Sequence, residues 1–152
     1  MAGVFSIPDD VVLDANVLVG LADREDSRAA DARALRRALH ARGAKPLLLD
    51  FLVGEALSTL CRRFAERAAP RLAPDLVFAE YLSAERSGQI RRLATDAYAR
   101  FDRVLALVRE THGRLNVHDA MMVVLQRDGL IGPVATFDEA LGSTPGFLRV
   151  RA

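Results

Sequence analysis

Apolar positions along the chain fall into two alternating rhythms, short continuous runs and longer helical stripes. Val11, Val12 and Leu13 form an apolar, β-branched run that stops at Asp14, with further apolar residues to Leu21; this reads as a buried strand followed by a short helix. Residues 27–42 carry Ala30, Ala34, Leu35, Ala38 and Leu39 at helical spacing, with Ser27 or Asp26 as N-cap and Gly43 as stop. Residues 46–49 are apolar after the proline and read as a second strand, covered on both faces. A helix follows over 51–67, its inner face made of Val53, Ala56, Leu57, Leu60 and Phe64. Pro70 and Pro74 interrupt the chain before a helix expected over 75–85.

Beyond Gly88, residues 90–93 form a strand candidate broken by two arginines. The spacing then predicts a helix over 96–111 with Tyr98, Phe101, Val104, Leu105 and Val108 inward, and another over 117–127 closed near Gly129. Residues 133–136 read as a strand, 137–141 as a helical turn and 147–150 as a last strand. Short apolar strands alternating with long helices imply an α/β domain, a parallel sheet with helices on both faces. Right-handed crossovers place every strand C-terminus on one edge, where ligands bind in such sheets.

Composition narrows the class. The 152 residues are 51% hydrophobic, enough for one domain with a real core and against a disordered chain. No apolar run approaches the about 20 residues of a membrane span, and residues 1–8 lack the basic and apolar regions of a signal peptide. A lone Cys61 fits a reducing, cytoplasmic setting. Net charge is +1, so bulk charge does not announce nucleic acid; a local patch would have to do so. Lys45 is the only lysine among 21 basic residues, a bias best explained by a GC-rich genome, though arginine is also the better bidentate phosphate ligand.

Four acids stand at strand ends or helix starts. Asp14 follows the first strand, Glu55 lies in the first turns after the second, Asp119 opens the 117–127 helix, and Asp138 follows the 133–136 strand. Each has an ordinary reading. An aspartate between strand and helix is often an N-cap worth about 1 kcal/mol, Asp138 suits a turn, and Glu55 suits a solvated helix. Gathered at one edge they mean something else. Two carboxylates about 4 Å apart repel by about 4 kcal/mol at an effective dielectric near 20, so a cluster needs protons or a cation. All-oxygen ligation favours Mg²⁺ or Mn²⁺, and the scattered His40, His112 and His118 offer no zinc site. A hard cation in an open acidic site suits phosphodiester hydrolysis.

The order Val12-Leu13-Asp14-Ala15-Asn16, Gly54-Glu55-Ala56, His118-Asp119-Ala120 and Thr136-Phe137-Asp138 resembles the PIN-domain nucleases. Within them it most resembles the VapC-type ribonuclease toxins of type II toxin–antitoxin systems, over about residues 11–150. The resemblance implies a three-layer α/β/α domain with a mostly parallel sheet of four to five strands. It implies an endoribonuclease dependent on Mg²⁺ or Mn²⁺, with Asp14, Glu55, Asp119 and Asp138 catalytic and Asp14, Asp119 and Asp138 holding metal. Asn16 would support the first acid or a metal-bound water, and Thr136 would bond the last acid or a ligand. RNA substrate, a homodimer and a cognate antitoxin in an apolar groove beside the early helices are implied as well. Residues 70–113 carry no family motif. Arg24, Arg28, Arg62 and Arg63 are candidate phosphate contacts near the expected rim.

Other classes fit less well. Haloacid dehalogenase phosphatases need Asp-x-Asp where this chain has Asn16, and both they and response-regulator receivers need a late lysine. His118-Asp119 suggests an HD hydrolase, but the other histidines are not at ligand spacings. A housekeeping PIN nuclease in RNA processing, and a non-catalytic PIN-like scaffold binding RNA or protein, are the alternatives to a toxin; the full set of acids speaks against the scaffold.

Overall fold

In the computed structural model, residues 10–67, 83, 86–88 and 91–151 are described. Strand β1 (Asp10–Leu13) leads into α1 (Ala15–Ala22) and α2 (Ala29–Ala41), then β2 (Lys45–Leu49) and α3 (Asp50–Arg67). After β3 (Arg91–Leu93), a 3₁₀ turn (Ala97–Arg100) runs into α4 (Phe101–Glu110), followed by α5 (Val117–Arg127), β4 (Val134–Ala135), α6 (Glu139–Gly142) and β5 (Arg149–Val150). The helix expected over 75–85 lies, but for Ser83, outside the described residues.

All the strand pairings are parallel, in the order β3-β2-β1-β4-β5. Strand alternation divides the core into two layers. Val12, Leu47, Leu49 and Val134 face one side and pack with Val104 and Leu107 of α4 and Ala120–Leu125 of α5. Val11, Leu13, Leu48 and Ala135 face the other and pack with Val17 of α1 and Leu35 and Leu39 of α2. The result is the expected α/β/α sandwich. β1 is apolar throughout its buried residues because both its faces are covered. α5 is apolar around most of its circumference, and residues 119–125 are all buried.

The strand order creates a switch point. From β1 the chain steps outward to β2 and β3, then returns to the opposite side of β1 with β4 and β5. The loops leaving β1 and β4 therefore diverge at the C-terminal edge and leave a crevice between them. Asp14 leaves β1 and Thr136 leaves β4 at this place.

Three local expectations are corrected. Tyr98 and Leu105 point outward, 68% and 44% exposed. The 3₁₀ winding of residues 97–100 shifts Tyr98 out of phase with α4, and Leu105 lies one residue beyond the stripe of Val104, Leu107 and Val108. Ala30 is exposed, the inner face of α2 being Ala29, Ala32, Leu35 and Leu39. Neither Ser27 nor Asp26 caps α2; its N-cap is Arg28, and Asp26 Oδ1 instead accepts the Arg28 N–H at 2.7 Å, turning the loop one step earlier. Among the described residues no helix is long and apolar enough to cross a membrane.

Candidate active site

Asp14 occupies the junction of β1 and α1 because an extended residue is needed there to start the helix. Its Oδ1 accepts the Ala15 N–H at 2.6 Å, as an N-cap does. Its Oδ2 accepts two side-chain donors, Asn16 Nδ2 at 2.8 Å and the Thr136 hydroxyl. The Asn16 amide also reaches Thr136 Oγ1 at 3.2 Å, and its Oδ1 accepts the Phe137 N–H at 3.2 Å. Thr136 Oγ1 accepts the Asp138 N–H at 3.0 Å. One continuous network thus ties the end of β1 to the end of β4 across the switch point. The sequence resemblance assigned Thr136 to the last acid or a ligand; here its hydroxyl donates to the first acid, and its oxygen accepts the backbone N–H of the last.

The other aspartates are also helix caps. Asp138 Oδ1 accepts the Leu141 N–H at 2.9 Å at the start of α6. Asp119 belongs to a reciprocal capping box: Asn116 Oδ1 accepts its N–H at 2.9 Å, and its Oδ2 accepts the Asn116 N–H at 3.1 Å. Capping does not exhaust these carboxylates. Each cap uses one carboxylate oxygen, and among the described residues Asp119 Oδ1 and Asp138 Oδ2 accept no hydrogen bond. The cap also fixes the direction of the remaining oxygen.

Asp14 and Asp119 both feel the charges of the other acids. Asp14, 5% exposed, has its carboxyl pushed up to about 6 by burial, against the lowering effect of Thr136 and Ala15, with Glu55 and Asp138 adding to the rise. Asp119, 7% exposed, is also pushed up to about 6, by burial first and then by the charges of Asp14, Asp138 and Glu55. Neither is paired with a basic side chain among the described residues. Acids 124 positions apart along the chain, Asp14 and Asp138, thus share one electrostatic site.

Glu55 stands on the outer turn of α3, half-buried, with Oε2 at 2.7 Å from His118 Nδ1. The His118 ring packs against Phe51 at 5.6 Å. In the sequence reading His118 served only as the neighbour of Asp119 in the family motif and in the hydrolase motif set aside there; its partner lies 63 residues away, so no local signal marked the pair. Arg149 was missed for the same reason. Its Nε donates to the Thr136 carbonyl at 3.0 Å and its fork grips Glu139 at 2.9 Å, so it braces the loop carrying Thr136 and Asp138. It lies over Gly142, where an added Cβ would come within 2.5 Å of the guanidinium.

Of the candidate phosphate contacts, Arg63 is not available. It is held by Asp23 at 2.9 Å and by Asp26. Arg28 pairs with Asp31 at 3.3 Å while its guanidinium lies over the Phe137 ring, 5.6 Å from the centroid. Arg24 and Arg62 are exposed.

The donor chemistry suits a hard divalent cation: carboxylate oxygens alone, two of them unengaged, and two buried carboxyls that resist ionising together. Among the described residues no three His, Cys, Asp or Glu side chains are drawn close enough to enclose an ion by themselves. An ion there would need the mode of one or two carboxylates completed by waters, which Mg²⁺ tolerates.

No protein-family model and no curated protein sequence matches the chain. Solved structures do. The crystal structure of VapC20 from Mycobacterium tuberculosis, a sarcin–ricin loop cleaving toxin, superposes with a TM-score of 0.69 at 21% identity, covering 93% of this chain and 99% of that one. The structure of PAE2754 from Pyrobaculum aerophilum superposes with a TM-score of 0.55 at 21% identity, over 93% of this chain and 84% of that one. At this identity the likeness shows a common fold and no more, and that fold is the PIN-like one expected from the sequence motifs.

Proposed function

We propose that this chain is an endoribonuclease dependent on Mg²⁺ or Mn²⁺, and the toxin of a toxin–antitoxin pair. The observation that carries the reading is the pair of buried carboxyls, Asp14 and Asp119, both pushed up to about 6 and, among the described residues, paired with no basic side chain. A fold matched almost end to end by an RNA-cleaving toxin supports the choice of substrate.

The ion would be held through one or two of the carboxylates of Asp14, Asp119 and Asp138, with waters completing its shell; bound there, it would supply a polarised phosphate, a more acidic water and charge neutralisation. The chain's own residues do the rest. Ala15, Asn16 and Thr136 fix the Asp14 carboxylate so that it does not reorganise during the reaction. The caps at Asp119 and Asp138 aim their unengaged oxygens from rigid helix starts. Glu55, half-buried and steadied by His118, is the carboxylate suited to accept a proton from the attacking water. An RNA strand would enter at the crevice between the β1 and β4 loops, and an antitoxin would silence the site by covering it.

The test uses the purified chain freed of any bound partner and a structured RNA. Cleavage should need Mg²⁺ or Mn²⁺, stop with EDTA and be lost in Asp14→Asn. Cleavage indifferent to both treatments would reject the nuclease reading. Growth arrest on expression, relieved by a small protein encoded beside it, would establish the toxin; a chain that cleaves RNA without arresting growth would point to a housekeeping nuclease.

A further inference from the structure

We propose that the outer face of α2 is a phosphate-binding surface that carries the RNA flanking the cut; this rests on the nuclease reading above. Residues 28–42 contain five arginines against a single acid, Asp31, in a chain whose net charge is only +1. That one acid is engaged by Arg28. Arg33, Arg36, Arg37 and His40 recur at i, i+3, i+4 and i+7, so they share one side of the helix, and all are exposed. Ala32, Leu35 and Leu39 face the core instead.

Arg33, Arg36 and Arg37 have no hydrogen bond or ion pair among the described residues. That sets them apart from Arg63, Arg67, Arg100, Arg103, Arg149 and Arg151, each drawn onto a carboxylate. Crowded like charges repel within the fold, and guanidinium is the side chain best matched to bidentate phosphate.

The surface adjoins the candidate site. Arg28, at the first turn, lies over Phe137, whose neighbours are Thr136 and Asp138. The helix thus starts at the rim, and its exposed arginines stand between roughly 8 Å (Arg33) and 14 Å (Arg37) along its axis from Arg28, at about 1.5 Å per residue. A protein partner is the poorer fit. Protein interfaces are anchored by buried aromatic or aliphatic side chains, and the exposed large apolar residues, Tyr98, Leu105 and Leu148, all lie off this helix.

The experiment measures binding apart from cleavage. In an Asp14→Asn background, a fluorescent RNA hairpin with single-stranded flanks is titrated by anisotropy between about 50 and 200 mM salt. The triple variant Arg33→Gln, Arg36→Gln, Arg37→Gln should weaken binding about 10-fold and flatten the log–log salt slope by about 2, because about three phosphates would keep their counterions. A control triple, Arg109→Gln, Arg114→Gln, Arg127→Gln, removes the same charge from exposed positions elsewhere and should leave the slope nearly unchanged. Thermal melting verifies that each variant folds, and the three single substitutions read the slope one charge at a time. Unchanged binding by the α2 variant, an equal loss in the control, or loss of a protein partner with RNA binding intact would each overturn the proposal. Wild-type chain that binds through α2 yet cuts no RNA would overturn the nuclease reading alone.

Discussion

The two ends of α1 carry aspartates that are equally buried and oppositely treated. Asp14 at its N-terminus is 5% exposed and Asp23 at its C-terminus 4%. Burial raises the carboxyl of each. At Asp23 it is outweighed by Arg67 at 2.9 Å and Arg63 at 2.9 Å, which hold the acid below its usual range. At Asp14 only neutral donors answer it, Glu55 and Asp138 add like charge, and the carboxyl rises to about 6. The chain does not lack cations: arginines also close on Asp128, pulling it down to about 2, and on Glu139. The molecule neutralises these structural acids readily, whereas among the described residues no basic side chain pairs with Asp14 or Asp119; under the proposed function an external cation would take that part.

The comparison can be broken most severely at the unneutralised end. Asp119→Asn keeps the oxygen that caps α5 and removes one negative charge; it should lower RNA cleavage by about 10³ or more, about 4 kcal/mol in the barrier. The same variant should melt higher than wild type in metal-free buffer at neutral pH, a trade of stability for function. Lower melting would mean that the charge is not a burden there.

Acidity tests the two ends against each other. The carboxyls of Asp14 and Asp119 hold a proton more tightly folded than unfolded, so their contribution favours the fold below about pH 4 and is lost as pH rises through about 6. A two-unit shift is worth about 3 kcal/mol. Asp23 and Asp128 run the other way, stabilising above the ordinary aspartate range and failing only in stronger acid. Metal-free Tm should therefore fall between about pH 4.5 and 7, by roughly 2–4 °C per kcal/mol. Millimolar Mn²⁺ should recover the loss at neutral pH by mass action. A Tm that ignores Mn²⁺ would remove the external charge from the explanation.

Two smaller substitutions sharpen the contrast. Gly142→Ala would push Arg149 off the Thr136 carbonyl and Glu139, costing about 1–3 kcal/mol by overpacking and loosening the Asp138 loop; differential scanning and cleavage assays should both register it. Arg63→Gln should cost about 1–2 kcal/mol, since Arg67 still covers Asp23, and should leave the apparent metal affinity of the site unchanged. Altered metal affinity would mean that the two ends of α1 are not independent.

How legible the site was follows from how local each signal is. The strand-and-helix alternation was readable because apolar side chains must match the pleat of a strand or the turn of a helix, as Val11–Leu13 and residues 51–67 do. Asp14, Asn16 and Thr136-Phe137-Asp138 could be found because strand ends and helix starts leave a mark in sequence. What failed was finer: the 3₁₀ winding that turned Tyr98 outward, and the capping of α2, depend on a few φ/ψ angles that many sequences tolerate. The pairing of His118 with Glu55 and the bracing by Arg149 had no local mark at all.

By itself the sequence determined the elements, their layering and the types of oxygen donor at the strand ends, since these rest on periodicity and on the backbone needs of a helix start. Tertiary structure decided which acids share a field, which are answered by arginine, and which carboxylate oxygen is left unengaged. Those outcomes depend on distances between residues tens to more than a hundred positions apart, and on how much water the fold leaves between them. Asp14 and Asp23 are the same residue type nine positions apart; only the packed molecule surrounds one with neutral donors and like charge and clasps the other between two arginines.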